Sequence, residues 1–470
     1  MTELPLLTSA NCTFILVSFE GPDPYSQAGG LGVRMTGLAR TLAEFGYETH
    51  LFFIGDPNLP GEERLMDGRL ILHRWCQWIS AHCPGGVYDG EEAKVADFSR
   101  SIPDFVVDRI LQPILASGRI PIVLLEEWQT AEAACALSDA LRQRSARDSS
   151  VLFWNANNTY GFDRVDWQRL ASSVTITAVS RYMRQIIRAA GADALVIPNG
   201  ISAELLAPMR RSDVRATRNA FTDDADTGIF FKMARWDRTK GWTQALDAVK
   251  RAREDGRRLV LVGRSGGPTG EGGALLDEAE TRGLRGAVMR SESELRNGLG
   301  RAVREGADVV SLSFGVSPYL ARTLYAAADG VLANSVSEPF GLVGLEAMAA
   351  GGVAYTGGTG EDYAVTGRNA VVLETLDPQE IVEKWDDLSS STERVARIRR
   401  EARKTAREYV WPAVVGKLMS ALIYQVRRQR GLTPDRGSAQ YVARSGVDRR
   451  ERPRVGETDR RASLELRQPA

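Results

Sequence analysis

Short runs rich in Val, Ile, Leu and Phe alternate with longer helical patterns along this chain, and the alternation occurs twice. Parallel neighbours in a sheet need a crossover between them, and a helix supplies it, so the pattern predicts parallel sheets wrapped by helices. Strands are expected at 13–19, 48–54, 121–126, 151–156, 174–179 and 195–198. A second series follows at 228–234, 258–263, 309–314, 330–334, 353–356 and 370–373. Between them lies the polar interval 209–227, with Arg210, Arg211, Asp223, Asp224 and Asp226, which reads as a linker. At 470 residues the chain suits two α/β domains with a tail.

The 60 Lys and Arg balance 60 Asp and Glu, so no global field draws the chain to nucleic acid, and any phosphate site must be built locally. No apolar run approaches the roughly 20 residues a membrane span needs. The N-terminus lacks a basic start and a small-residue cleavage site, so a cytoplasmic location is expected. Cys12, Cys76, Cys83 and Cys135 show no CxxC pairing, and no disulfide is expected. His73, Cys76, His82 and Cys83 gather in one stretch without the spacing of a common zinc site. Asp224-Ala225-Asp226 spells DxD but follows no strand, so it reads as solvated acids and no metal is expected. The arginine-heavy helix expected over 389–409 reads as solvated, since its cations do not oppose a clean apolar face, and peripheral membrane contact is left open. Trp411-Pro412 stops it, an amphipathic helix is expected over 413–428, and beyond Gly431 the polar tail is expected to be disordered.

The chemistry concentrates in Asn334-Ser335-Val336-Ser337-Glu338-Pro339-Phe340-Gly341-Leu342, where a strand gives way to a helix. Amides of Gly341, Leu342 and Val343 fall at the helix N-terminus, where unpaired N–H groups and the dipole favour a diphosphate. Glu338 can accept hydrogen bonds from sugar hydroxyls, and Glu346 can take a pair of ribose hydroxyls. A capping role for Glu338 and a surface role for Glu346 is the plainer alternative. It does not explain an acid embedded in Leu342, Val343, Leu345, Ala347 and Met348, where a carboxylate needs a partner.

Arg235 and Lys240 follow the first strand of the second series, at the carboxyl end where open α/β sheets bind ligands, and can clamp a diphosphate. Gln27-Ala28-Gly29-Gly30-Leu31-Gly32 follows the first strand of the first series, where Gly29 and Gly30 let a phosphate or sugar approach the backbone. This is not the GxGxxG of a dinucleotide fold.

Together these residues resemble glycosyltransferase family 4, with Glu338 to Glu346 as its two-glutamate motif and Arg235 with Lys240-Gly241 as its phosphate-binding pair. The Ala28-Gly29-Gly30-Leu31 loop is similar to the donor-side loop of that family and of glycogen and starch synthases. Thr177-Ala178-Val179-Ser180 and Ile197-Pro198-Asn199-Gly200-Ile201 extend the resemblance, which spans residues 14–425 in order. It implies an α/β GT-B fold of two Rossmann-like doubly wound domains, 1–203 on the acceptor side and 204–410 on the donor side. A helix over 411–429 would return to the first domain and 430–470 would be tail. It further implies retaining, metal-independent transfer, with a nucleotide-diphosphate sugar as substrate and no cofactor. Glu338, Arg235 and Lys240 would be catalytic. Gly29, Gly30, Asn157, Phe340, Gly341, Leu342 and Glu346 would join Arg235 and Lys240 in donor binding, with the 356–361 loop through Gly358 and Thr359 near the sugar or base.

Two departures stand out. Where relatives carry a histidine near the donor sugar, this chain reads Trp154-Asn155-Ala156-Asn157, and Asn157 can hydrogen-bond but not act as acid or base. The segment resembling an acceptor-side His-Asp-Trp reads Glu126-Glu127-Trp128. The acceptor is left open among glycan, small molecule and lipid-linked sugar. The alternatives are a sugar-nucleotide epimerase of the same fold and a non-catalytic nucleotide-sugar-binding protein, and the only histidines available to an epimerase are His50, His73 and His82.

Overall fold

The first eight strands are β1 (Cys12–Val17), β2 (Thr49–Ile54), β3 (Glu62–Leu65), β4 (Leu70–Trp75), β5 (Ile120–Glu126), β6 (Val151–Ala156), β7 (Thr175–Ala178) and β8 (Leu195–Val196). They form one sheet in the order β3-β4-β2-β1-β5-β6-β7-β8, parallel except for the β3 edge. A seven-stranded parallel sheet follows in the order β11-β12-β10-β9-β13-β14-β15. Its strands are β9 (Gly228–Met233), β10 (Leu259–Arg264), β11 (Gly286–Met289), β12 (Val309–Leu312), β13 (Gly330–Ala333), β14 (Ala354–Thr356) and β15 (Val371–Val372). The structure is a computed structural model and describes residues 7–222, 224, 226–266 and 273–429; the expected tail lies outside them, as does Ala225 of the DxD. Each sheet switches direction at its first strand, β1 or β9, which places both carboxyl edges on one cleft.

Buried runs such as Phe14-Ile15-Leu16-Val17 and Val260-Leu261-Val262 explain why the strands read as continuous apolar segments, since helices cover both faces. The reading of the sequence omitted β3, β4 and β11. In β4, His73 and Arg74 break the apolar run, yet both are buried with partners. His73 meets His50 at 2.9 Å and stacks on Phe52, and Arg74 binds Asp23 through two bonds of 2.8 and 3.0 Å. Burial, with the neighbouring His50 and Arg64 charges, pushes His73 down to about 3.

The expected linker is instead largely the helix Arg211–Phe221, which packs on the helices Glu292–Arg304 and Pro318–Ala327 of the second domain. Phe221 is fully buried and Val214 packs on the same core, so two apolar side chains suffice to dock a helix that otherwise looks polar.

The last helix, Trp411–Gln429, packs on Gly30–Glu44 of the first domain, with Trp411, Val414, Leu418, Leu422 and Val426 joining Met35 and Leu38 in one core. A side chain at Gly37 or Gly200 would fall 2.1 or 2.3 Å from the Trp411 indole, so those two glycines make its seat. The chain crosses between domains twice at one place. Ile201 donates to the Tyr409 carbonyl at 2.9 Å and Trp411 donates back to Ile201 at 3.1 Å.

Candidate active site

Three loops at the carboxyl ends of β9, β13 and β14 form one wall of the cleft. Asn334, at the end of β13, ties the first two together. Its amide nitrogen donates to the Gly241 carbonyl at 3.1 Å and to Gln244 at 2.8 Å, while its oxygen accepts from Lys232 Nζ at 2.6 Å. Gly241 sits at φ +68°, and a Cβ there would lie 2.1 Å from the Asn334 carbonyl oxygen, so the loop of Lys240 lies on that of Glu338 only because residue 241 is glycine. The third loop is stitched on by Thr359, whose hydroxyl accepts from the Glu338 amide at 2.9 Å and donates to the Glu338 carbonyl at 3.1 Å. Gly360 donates to the same carbonyl at 2.9 Å, and a Cβ on it would collide with the Pro339 carbonyl at 2.1 Å.

This stitching brings Lys240 Nζ to 2.8 Å from Glu338 Oε2, both side chains about one-fifth exposed. Arg235 is exposed, and its guanidinium has no hydrogen bond or ion pair among the described residues. Beneath them lies Lys232, fully enclosed, which burial and the Lys240 charge push down to about 7. Positive charge therefore gathers on this wall with Glu338 as its only carboxylate ion-pair partner there.

The helix Leu342–Ala350 begins at Gly341, φ +79°, and no side chain caps it. Its first amides are thus available to a ligand, with the positive end of the dipole behind them. Glu346 lies one turn in, where burial pushes it up to about 7, and among the described residues its only side-chain partner is the Tyr325 hydroxyl at 3.4 Å. A Cβ on Gly341 would stand 2.7 Å from Glu361 Cγ, in a backbone region that side chains rarely adopt. Gly341→Ala is therefore expected to lower stability by roughly 1–3 kcal/mol; an alanine variant with wild-type melting temperature would contradict this account of the helix start.

The raised Glu346 carries a pH signature. The native carboxyl holds its proton to about 7 while the unfolded one releases it near its ordinary value of 4.5. Between these values the native state binds more protons, so this group's contribution to stability is lost as pH rises through the window. Glu346→Gln should remove that component and stabilise the unliganded protein at pH 8 by on the order of 1 kcal/mol. Thermal unfolding of both proteins at pH 5 and pH 8 tests it, and a stability difference that is unchanged between the two pH values would exclude it.

Phe340, expected at the donor, is placed otherwise. Its ring is 2% exposed and packs on Tyr363 and Tyr409, so only its backbone borders the cleft. Glu361 was not foreseen. It is 5% exposed, Oε2 accepts from the Thr359 amide at 3.2 Å, and Oε1 has no partner. Burial, reinforced by the Glu338 charge, pushes it up to about 7. An acid closing a glycine-rich Thr356-Gly357-Gly358-Thr359-Gly360 run was the available signal.

The facing wall belongs to the first domain. A Cβ on Gly30 would reach the Leu342 side chain at 3.9 Å, so the glycine loop lies opposite the uncapped helix. Three of its amides are engaged within the first domain. Those of Ala28, Gly29 and Gly32 donate to Glu20 Oε2 at 3.2, 2.9 and 3.0 Å, and the Tyr88 hydroxyl donates to the other Glu20 oxygen at 2.5 Å. An internal carboxylate thus holds the start of the Gly30–Glu44 helix. Asn157 donates its side-chain amide to Glu126 at 2.7 Å and its backbone amide to Glu127 at 2.5 Å, leaving Oδ1 buried without a partner. Glu126 is paired with Arg34 and also accepts from Asn155, which accounts for one buried acid. Glu127 has no cation partner, is held at φ +69°, and is pushed up to about 8 by burial and the Glu126 charge. Across the cleft mouth the Tyr182 hydroxyl meets Ser337 at 3.0 Å, and the Arg181 amide donates to Asp362 at 2.8 Å.

Residues 213–405 match the family model described as "Glycosyl transferases group 1". No curated protein matches the sequence. Among solved structures, the catalytic domain of starch synthase IV from Arabidopsis thaliana bound to ADP and acarbose is 17% identical, covering 89% of this chain and 99% of that one, with a TM-score of 0.60. A sucrose-phosphate synthase from Thermosynechococcus elongatus is 18% identical over 88% and 99% of the two chains, with a TM-score of 0.61. A trehalose-6-phosphate protein from E. coli bound with UDP-2-fluoro glucose is 13% identical over 87% and 99%, with a TM-score of 0.58. With its two doubly wound parallel sheets, the chain has the GT-B fold.

Proposed function

We propose that this chain is a retaining glycosyltransferase of family 4 that moves a sugar from a nucleotide-diphosphate donor to an acceptor hydroxyl without a metal ion. The observation that carries the reading is the convergence of Lys240, Glu338 and Glu346 on the uncapped start of the Leu342–Ala350 helix. Charge and shape there suit a diphosphate flanked by a sugar on one side and a ribose on the other. The match of residues 213–405 to group 1 glycosyl transferases supports it, as do fold neighbours in complex with ADP or a UDP-sugar.

In the reaction, the bond from the anomeric carbon to the diphosphate breaks and a bond to the acceptor oxygen forms, while the acceptor proton passes to the leaving nucleoside diphosphate or to water. Negative charge grows on the diphosphate as the bond lengthens. Arg235, Lys240 and the helix amides meet that charge where it develops, the role a metal plays elsewhere. Glu338 orients the sugar hydroxyls, Glu346 receives the ribose diol, and Glu361 stiffens the loop that carries Thr359. On the first domain, Gly29, Gly30 and Asn157 border the sugar.

An epimerase would need a base beside a sugar carbon. His50 and His73 instead pair with each other, buried within strands of the first sheet, and His82 stands exposed in a turn rather than at a strand end. The test is product formation from a panel of UDP-, GDP- and ADP-sugars, together with thermal shifts by the three nucleoside diphosphates. A protein that neither binds nor turns over any of them sinks the reading. Binding without turnover, unaffected by Glu338→Ala, favours a sensor.

A further inference from the structure

At the far end of the Leu342–Ala350 helix, one helix length of about 14 Å from the uncapped start, the second domain carries a groove of about 750 Å3. Its floor is built of small residues, among them Ala326, Ala327, Ala350 and Gly351. One wall is the helix Arg211–Phe221 and the other the helix Thr392–Ala406. Arg211, Arg215 and Arg218 recur at helical spacing on the first, and Arg399, Arg400 and Arg403 on the second, so two guanidinium stripes line one groove. The chain as a whole balances 60 cations against 60 acids, which makes this local excess a property of the fold.

The excess is poorly compensated. Among the residues lining the groove, Asp329 is the one acid, and it binds Arg218 at 2.8 Å. Arg399 spends its donors on the carbonyls of Ala326 and Ala328 at 2.6 and 2.8 Å, and Arg403 on that of Leu206 at 2.8 Å. Arg211, Arg215 and Arg400 have no hydrogen bond or ion pair among the described residues. Burial and the crowding of Arg407 and Arg322 hold Arg403 below the usual guanidinium range. Like charges at four-residue spacing destabilise a helix, so these stripes gain from an anion between them.

We propose that this groove binds a small anion carrying two or more phosphate groups, at a site separate from the sugar-nucleotide cleft. Guanidinium forks match phosphate oxygens two at a time, and opposed forks on two walls match a ligand with phosphates at both ends. The small-residue floor leaves depth that a single phosphate would not fill, and the volume lies within that of ordinary ligand sites.

Isothermal titration of the full chain with inorganic tripolyphosphate tests this. Arg215 and Arg400 are exposed and unpaired, so the double variant R215Q/R400Q should keep the wild-type melting temperature. It should weaken tripolyphosphate binding by at least about tenfold. Lys240→Ala should leave that binding step in place. Wild-type affinity in R215Q/R400Q, loss of all binding in Lys240→Ala, or no binding by the wild type overturns the proposal. Flotation with phosphatidylcholine vesicles made with and without a phosphatidylinositol bisphosphate assigns the source. Capture that R215Q/R400Q abolishes and tripolyphosphate competes points to a lipid headgroup, and protein left in solution points to a soluble phosphate compound.

Discussion

Lys240→Ala is expected to lower kcat by roughly a hundred- to a thousandfold and to raise the donor Kd as well. Lys240 is the cation held beside Glu338, and under the proposed function its ammonium group would meet the diphosphate before and during bond cleavage. Its charge matters more as the leaving group becomes more negative, so turnover should suffer more than ground-state binding. Both members of the Lys240–Glu338 pair are about one-fifth exposed, and deleting one should change folding stability by no more than about 1 kcal/mol. Steady-state kinetics and nucleoside diphosphate titration, with thermal unfolding as control, separate these quantities. A Lys240→Ala enzyme of normal activity removes the assignment.

Glu338→Ala should lower kcat by about a hundredfold with the fold intact. The carboxylate touches Lys240 alone, whereas the loop is held by the Glu338 backbone through Thr359 and Gly360, and those bonds survive the substitution. Freed Lys240 can then bind the diphosphate without competition, so the Kd for a bare nucleoside diphosphate should stay constant or fall. The Kd of the sugar nucleotide should rise relative to it. A variant whose kcat drops only in proportion to lost folded protein would assign Glu338 a structural role.

The core strands were legible because continuous Val, Ile and Leu runs can only be buried in a sheet covered on both faces. What escaped was polar in sequence and apolar in setting. β4 hid behind His73 and Arg74, whose partners His50 and Asp23 lie on other segments. The Arg211–Phe221 helix hid behind its arginines, because Phe221 and Val214 are all it buries. That Glu338, Glu346, Arg235 and Lys240 would share one wall was readable, since a strand end and a helix start define it locally. Glu20 and Glu361 were not, although their backbone partners are near in sequence, because an acid in a loop does not announce its burial; the retreat of Phe340 into the core depends on a contact across a long stretch of chain, with Tyr409.

The double crossing at Ile201 and Trp411 leaves the two domains one shared pivot. A body whose chain crossings lie at one place swings about that place in an arc, and what changes along that arc is the gap between walls. Lys240, Glu338, Glu346 and Glu361 all ride on the same side of the pivot, so the wall proposed to cradle a diphosphate travels as a finished piece. Gly30 and Asn157 ride on the other side. Opening by the few ångströms that part Tyr182 from Ser337 and Arg181 from Asp362 would therefore, under the proposed function, free the sugar before the nucleotide and leave the charged wall intact.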